Sequence, residues 1–239
     1  SHGPYKNEKN KLFIRVVILL IVFDLDDTLV DTSGALIPLK LKMSLQAMID
    51  AGLKTSSFEI AFQELQKIDA RSPNGKETLT KFLEKMNADP SFLDIGLKEY
   101  LSLPKDFFIR ALEGAQQVLT TLVKEHTLVI VSTGIEQAQY MKMEKAGIKK
   151  EIFRKIIISP DYNKKLYYLR LTKELKFKAE ETLVCGDKFD TDLLPAKELN
   201  MKTVQILWGR ALKTTSNGKP DYSIKKLSEL LPIVKELQP

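Results

Sequence analysis

Residues Val16-Val17-Ile18-Leu19-Leu20-Ile21-Val22-Phe23 form eight apolar positions without a break, and they run straight into Asp24-Leu25-Asp26-Asp27-Thr28. The run has neither the alternation of a half-buried strand nor the periodicity of an amphipathic helix. Its β-branched content fits a strand covered on both faces. Such a strand needs a sheet with helices on either side. The carboxylates at its end oppose one another by repulsion and by desolvation, so a compensating positive charge is expected beside them.

The apolar run is well short of the ~18 residues of a membrane-spanning helix, and Arg15 and Asp24 bound it. No small-residue cleavage site follows, so a secretory signal is not expected either. Net charge is +6, with lysines interleaved among Asp and Glu rather than gathered into a basic block. That pattern predicts a solvated basic surface suited to anionic small molecules, without a specific nucleic-acid or membrane partner. The single cysteine, Cys185, lies in an apolar run and reads as a buried inert thiol. A reducing compartment, and hence the cytoplasm, is expected. The two histidines, His2 and His126, cannot assemble a zinc site or a Ser-His-Asp triad, and His126 reads as a turn residue.

Short apolar runs recur at Thr127–Val131, Ile156–Ile158, Thr182–Cys185 and Thr203–Leu207. Helical patterns separate them over 114–124, 135–146 (closed by Gly147), 165–177 and 192–199, and a final helix is expected over 224–237. Strands alternating with helices predict an α/β fold with a Rossmann-like, three-layer core around a parallel sheet. Residues 35–109 break the alternation and read as helices only, with apolar faces at Leu41/Leu45/Met48, Phe58/Phe62/Leu65 and Leu79/Phe82/Leu83. Ser56 with Glu59 is expected to cap the second of these helices, and Asp89 with Pro90 to open a fourth near 91–101. The division that follows is a core of 12–34 and 110–239 with an inserted all-helical cap at 35–109. Residues 1–11 read as loose chain or a cloning remnant. The phenylalanines of the insertion and its return, including Phe107 and Phe108, are expected to be mostly core.

Open α/β sheets bind ligands beyond the carboxyl ends of their strands. Those ends deliver Asp24, Asp26 and Thr28; Ser132 and Thr133; Lys164 and Lys165; and Asp187, Asp190 and Asp192. Residues two apart in extended chain point the same way, so Asp24 and Asp26 can share one side with Asp27 turned away. Two such carboxylates suit a division in which one attacks and the other moves protons. Carboxylates without His or Cys select a hard cation such as Mg2+. A lysine and a hydroxyl would then hold phosphate oxygens, which makes work on phosphate the expected purpose.

At this point the residues resemble the haloacid dehalogenase-like superfamily of hydrolases. Its four motifs stand in order: "DLDDT" at 24–28, "VIVST" at 129–133, a lysine near 164 and "GDKFDTD" at 186–192. The likeness covers about residues 16 to 234. It implies a Mg2+-dependent phosphatase of a small phosphorylated substrate, with Asp24 as nucleophile of an aspartyl-phosphate intermediate and Asp26 as acid, then base. It implies Mg2+ on the carboxylate of Asp24, the backbone carbonyl of Asp26 and the acids Asp187 and Asp192, directly or for one of them through water. Asp190 reads as the bystander, with its replacing Asp192 in a tighter loop as the alternative. Ser132, Thr133 and Lys164 would bind the phosphoryl group and Thr28 would orient the site. The insertion resembles the helical cap of the phosphoglycolate-phosphatase-like branch and is expected to close over the site and choose the leaving group. Two positions depart from the common pattern: Thr133 stands where relatives often carry Asn, and Lys165 replaces a common Pro, leaving Lys165 as the alternative to Lys164. A phosphomutase and a catalytically silent phospho-ligand scaffold are the competing readings, as monomer or homodimer. Arg210, after the fifth strand, reads as a surface arginine.

Overall fold

The structure, a computed structural model, describes residues 17–104, 106–212 and 218–238. The reading of residues 1–11 lies outside them. Six parallel strands form one sheet: β1 (Leu20–Phe23), β2 (Thr127–Thr133), β3 (Lys155–Ser159), β4 (Thr182–Gly186), β5 (Lys202–Ile206) and β6 (Tyr222–Ile224), in the spatial order β3-β2-β1-β4-β5-β6. Strand β1 lies at the centre, with Leu20 paired to Thr127 on one side and Thr182 on the other. That double pairing explains why its residues are apolar without alternation. It also shortens the strand relative to the apolar run: neither neighbour reaches past Leu20, and Ile18 is exposed.

Alternate residues of β1 feed two cores, as the pleat requires. Ile21 and Phe23 pack with Val118, Leu119 and Leu122 of α5 (Ala115–Leu122), Met143 of α6 (Glu136–Lys145) and Leu230 and Val234 of α9 (Leu230–Glu236). Leu20 and Val22 pack on the opposite face with Tyr168 and Leu171 of α7 (Lys164–Leu175) and Ala196 of the short α8 (Leu194–Lys197). The core therefore has three layers.

Between β1 and β2 the chain makes four helices: α1 (Ile37–Asp50), α2 (Phe58–Asp69), α3 (Gly75–Lys85) and α4 (Phe92–Leu101). They enclose a separate cluster built on Leu41, Leu45, Met48, Leu65, Leu79 and Phe82. The outward crossing passes through a π-type turn at Thr32–Leu36, and the return is pinned by a bridge between Val30 and Ala111. Asp31 ties the two crossings together through Arg110, at 3.2 Å.

Several boundaries differ from those expected. Ser57, not Ser56, caps α2 by accepting from the Ile60 amide. Asp89-Pro90-Ser91 forms a turn with i→i+3 bonds, and α4 starts only at Phe92. Strand β6 occupies the place assigned to the start of the last helix, because a three-residue edge strand is too short to show a period. A π-type turn at Phe189–Leu193 stands where an ordinary helix start was expected. Phe107 belongs to the α/β core, whereas Phe108 is exposed. His126 does sit at a turn, but its ring is buried and its Nδ1 accepts from the Leu19 amide at 3.2 Å. No helix among the described residues is long and apolar enough to cross a membrane.

Candidate active site

The chain leaves β1 through a tight turn in which the amides of Leu29 and Val30 both bond the carbonyl of Leu25. Asp27 takes the left-handed conformation there (φ 56°), and its carboxylate is turned inward to accept from the amide and the hydroxyl of Ser33. Asp24 prolongs the ladder, its amide donating to the carbonyl of Cys185 at 2.9 Å. Asp24 and Asp26 thereby line one cavity, together with Ser132, Thr133, Lys164 and Asp192.

Asp24 is 8% exposed, and its carboxylate accepts from the Lys164 ammonium at 2.7 Å. Burial pushes its carboxyl up to about 6; Lys164 opposes that shift, and the charges of Asp192 and Asp26 add to it. Lys164 opens α7, is itself buried, and also donates to Asp192 at 2.7 Å. Burial would lower its affinity for the proton, but Asp192 and Asp24 outweigh that and raise it well above the ordinary lysine value. Lys165, one residue on, points outward and pairs with Glu198 on the surface.

Asp26 stands in a separate network. Its carboxylate accepts from Lys142 Nζ at 2.7 Å, from Gln139 Nε2 at 2.7 Å and from the hydroxyl of Thr32. Burial alone would raise this carboxyl, but Lys142, Gln139 and Thr32 together hold it well below the ordinary carboxylate range. Gln139 also donates to Ser132 Oγ at 2.7 Å, which links the tip of β2 to the tip of β1. Thr133 donates outward, to the carbonyl of Asp161 at 3.3 Å. Thr28 is fully buried, and its hydroxyl has no hydrogen-bond partner among the described residues, neither Asp24 nor Asp26 included.

Below the cavity Asp187 is 1% exposed, and neither of its carboxylate oxygens has a hydrogen-bond partner among the described residues. Burial first, then the charge of Asp192, push its carboxyl well above the ordinary range. A buried carboxylate with no donor is costly unless something else supplies positive charge. Donor oxygens of Asp24, Asp187 and Asp192 all lie within 4.8 Å of one another. Lys164 pairs with two of these three carboxylates, Asp24 and Asp192, and among the described residues no cation pairs with Asp187. That leaves a deficit suited to a divalent ion, and an all-oxygen donor set favours a hard one. Gly186 permits the arrangement, since a Cβ there would lie 2.7 Å from the Asp192 side chain. Asp190 is exposed and lies outside this group.

Gln139, Lys142 and Thr32 escape a reading of the sequence. Gln139 and Lys142 stand three apart on α6, one face of a helix, but α6 is polar on most sides, so no stripe marks them. Arg210 is not a surface arginine. It pairs with Asp69 at the end of α2, at 2.6 Å with both side chains largely buried, and it reaches the hydroxyl of Tyr100 on α4.

The chain is similar to several known proteins. The family model described as "Haloacid dehalogenase-like hydrolase" matches residues 21–206. A protein of Methanocaldococcus jannaschii named glyceraldehyde 3-phosphate phosphatase is 32% identical over 231 residues, 91% of this chain and 97% of its own. Pyrophosphatase PpaX of Oceanobacillus iheyensis is 26% identical, over 91% of this chain and 97% of its own. A crystal structure of a predicted phosphoglycolate phosphatase from Haemophilus somnus shares the fold, with a TM-score of 0.67 at 17% identity, covering 92% of this chain and 99% of that one.

Proposed function

The chain belongs to the haloacid dehalogenase-like hydrolases, and from that premise we propose that it is a Mg2+-dependent phosphatase of a small phosphorylated metabolite. The observation that carries this reading is the convergence of Asp24, Lys164, Asp187 and Asp192 at the ends of neighbouring parallel strands. The names of the relatives, phosphatases of a sugar phosphate and of pyrophosphate, support the substrate class.

Asp24 is the nucleophile. A carboxylate oxygen attacks phosphorus, the bond from phosphorus to the ester oxygen breaks, and an aspartyl phosphate forms. Lys164 holds that carboxylate in place and lends positive charge to the phosphoryl oxygens, while Ser132, fixed by Gln139, offers its hydroxyl to one of them. The departing oxygen takes a proton from the Asp26–Lys142 pair, where the two groups already share a hydrogen bond. In the second step Asp26, as the carboxylate it is here, takes a proton from water. That water attacks phosphorus, the phosphorus–Asp24 bond breaks, and inorganic phosphate leaves. The carboxylates of Asp24, Asp187 and Asp192, with the backbone carbonyl of Asp26, would hold Mg2+, which when bound neutralises charge on the transferring group. Residues 35–109 act as the cap, excluding water from the site.

Release of phosphate from an aryl phosphate, measured with and without Mg2+, tests the reading. Asp24→Asn is expected to lower kcat by ~10³-fold or more, the scale of losing a covalent nucleophile, with no loss of thermal stability. Hydrolysis that survives Asp24→Asn undiminished would exclude the aspartyl-phosphate route.

A further inference from the structure

Four lysines line the cavity over the acids, and the acids prevail around three: Lys164, paired with Asp24 and Asp192; Lys142, paired with Asp26; and Lys188, exposed and without an ion pair among the described residues but raised by Asp187, Asp192 and Asp24. Lys40 is the exception. It stands on α1, half-buried, with its ammonium 5.4 Å from the centroid of the Tyr100 ring. It makes no ion pair or hydrogen bond among the described residues. Its burial, and the repulsion of Lys142 next, press its proton affinity down to about 8, and Asp26 restores only part. An ammonium taken partly out of water beside a second cation is unfavourable unless a ligand brings acceptor oxygens to it. The ring of Tyr100 offsets a fraction of that cost.

We propose that Lys40 is a specificity-determining residue: it receives the end of the substrate remote from phosphorus, and it selects short phosphomonoesters whose far end carries a carboxylate or carbonyl oxygen. This rests on the phosphatase reading above. Two further features set the direction and the size. Lys40 comes from the insertion and lines the same cavity as Lys164 and Ser132, so α1 is one of the walls that meet the remainder of a molecule whose phosphoryl group is held at the strand tips. The cavity is about 250 Å³, below the ~300–1,000 Å³ of sites for drug-sized ligands, which suits a skeleton of two or three carbons.

The test compares three three-carbon esters that differ only at the far end: 3-phosphoglycerate, glyceraldehyde 3-phosphate and 2-hydroxypropyl phosphate. Phosphate release is measured for the unaltered protein, Lys40→Met and Lys40→Arg, with Lys40→Gln replacing the Met variant should that fail to fold. Removing the charge is expected to raise KM for the two esters with a far-end carboxylate or carbonyl ~10-fold more than for 2-hydroxypropyl phosphate, with smaller changes in kcat. The arginine variant should recover most of that selectivity. A KM that rises equally for all three esters would make Lys40 a phosphoryl contact instead, and a KM that rises for none would remove it from the site; either overturns the proposal. Should the unaltered protein release phosphate neither from any of the three nor from an aryl phosphate, the phosphatase reading fails and the role of Lys40 fails with it.

Discussion

At the strand tips every buried cation is matched to carboxylates: Lys164 to Asp24 and Asp192, Lys142 to Asp26. The helical insertion is built on an apolar cluster, brings Lys40 to the cavity without an ion pair among the described residues, and reaches the core through the ion pair of Asp69 with Arg210. The tips are thus arranged to hold reacting groups still, each side chain fixed by a neighbour on another strand or helix. The insertion is arranged to leave a group free for something that arrives. On the proposed function, rigid preorganisation and selectivity would be carried by different parts of one chain that line one cavity.

Breaking the tip network should have the largest effect. Lys142→Met removes the main partner of Asp26 while keeping the stem, and is expected to lower kcat/KM ~10²-fold, about 2.7 kcal/mol of transition-state stabilisation. Burial is then less opposed, so the Asp26 carboxyl rises and the acid limb of the pH–rate profile should move to higher pH. A limb that stays in place would show that Lys142 does not govern Asp26.

The surplus of buried carboxylates over cations at the tips predicts the next effect, on stability. Asp24 has its carboxyl raised to about 6 in the fold, against about 3.9 in an unfolded chain. A raised folded value favours the protonated form, so this contribution is fully present below ~3.9 and is lost as pH climbs through 6. The metal-free protein should therefore melt at progressively lower temperature across that window. Mg2+ at a hundredfold excess over its dissociation constant should restore about 2.7 kcal/mol at neutral pH. Melting curves at several pH values, with Mg2+ and with a chelator, check both signs. Insensitivity to Mg2+ would argue against the acid cluster as its site.

Arg210→Ala cuts the tie between insertion and core. Both side chains of that ion pair are largely buried, so a loss of ~1–3 kcal/mol is expected, along with a rise in KM as the insertion covers the cavity less firmly. Calorimetry and steady-state kinetics on the same variant separate the two. The smallest effect sharpens the contrast between neighbours. Lys165→Ala deletes an exposed pair with Glu198 and should change stability by less than ~0.5 kcal/mol, with phosphate release untouched. A large loss of activity there would mean that the roles of Lys164 and Lys165 had been exchanged.

Much of this was legible in residue order because it depends on local spacing. A central strand buried on two faces must be apolar throughout, so β1 declared itself, and the alternation of short apolar runs with helices announced the parallel sheet. Asp24 and Asp26, two apart at a strand end, line one cavity as an extended chain requires. Elements that depend on partners far along the chain were not visible. Strand β6 exists because β5 offers it an edge, Arg210 is drawn inward because Asp69 waits at the end of α2, and the polar α6 hides Gln139 and Lys142.

By itself, then, the order of residues settled the class of fold and the kinds of chemistry carried at the strand tips, because backbone geometry turns spacing into direction within one element. Which ammonium meets which carboxylate was decided only by tertiary structure. The energy of a buried charge depends on every group within a few ångströms, and those groups come from β1, α6, α7 and the turn after β4, brought together only when the sheet forms.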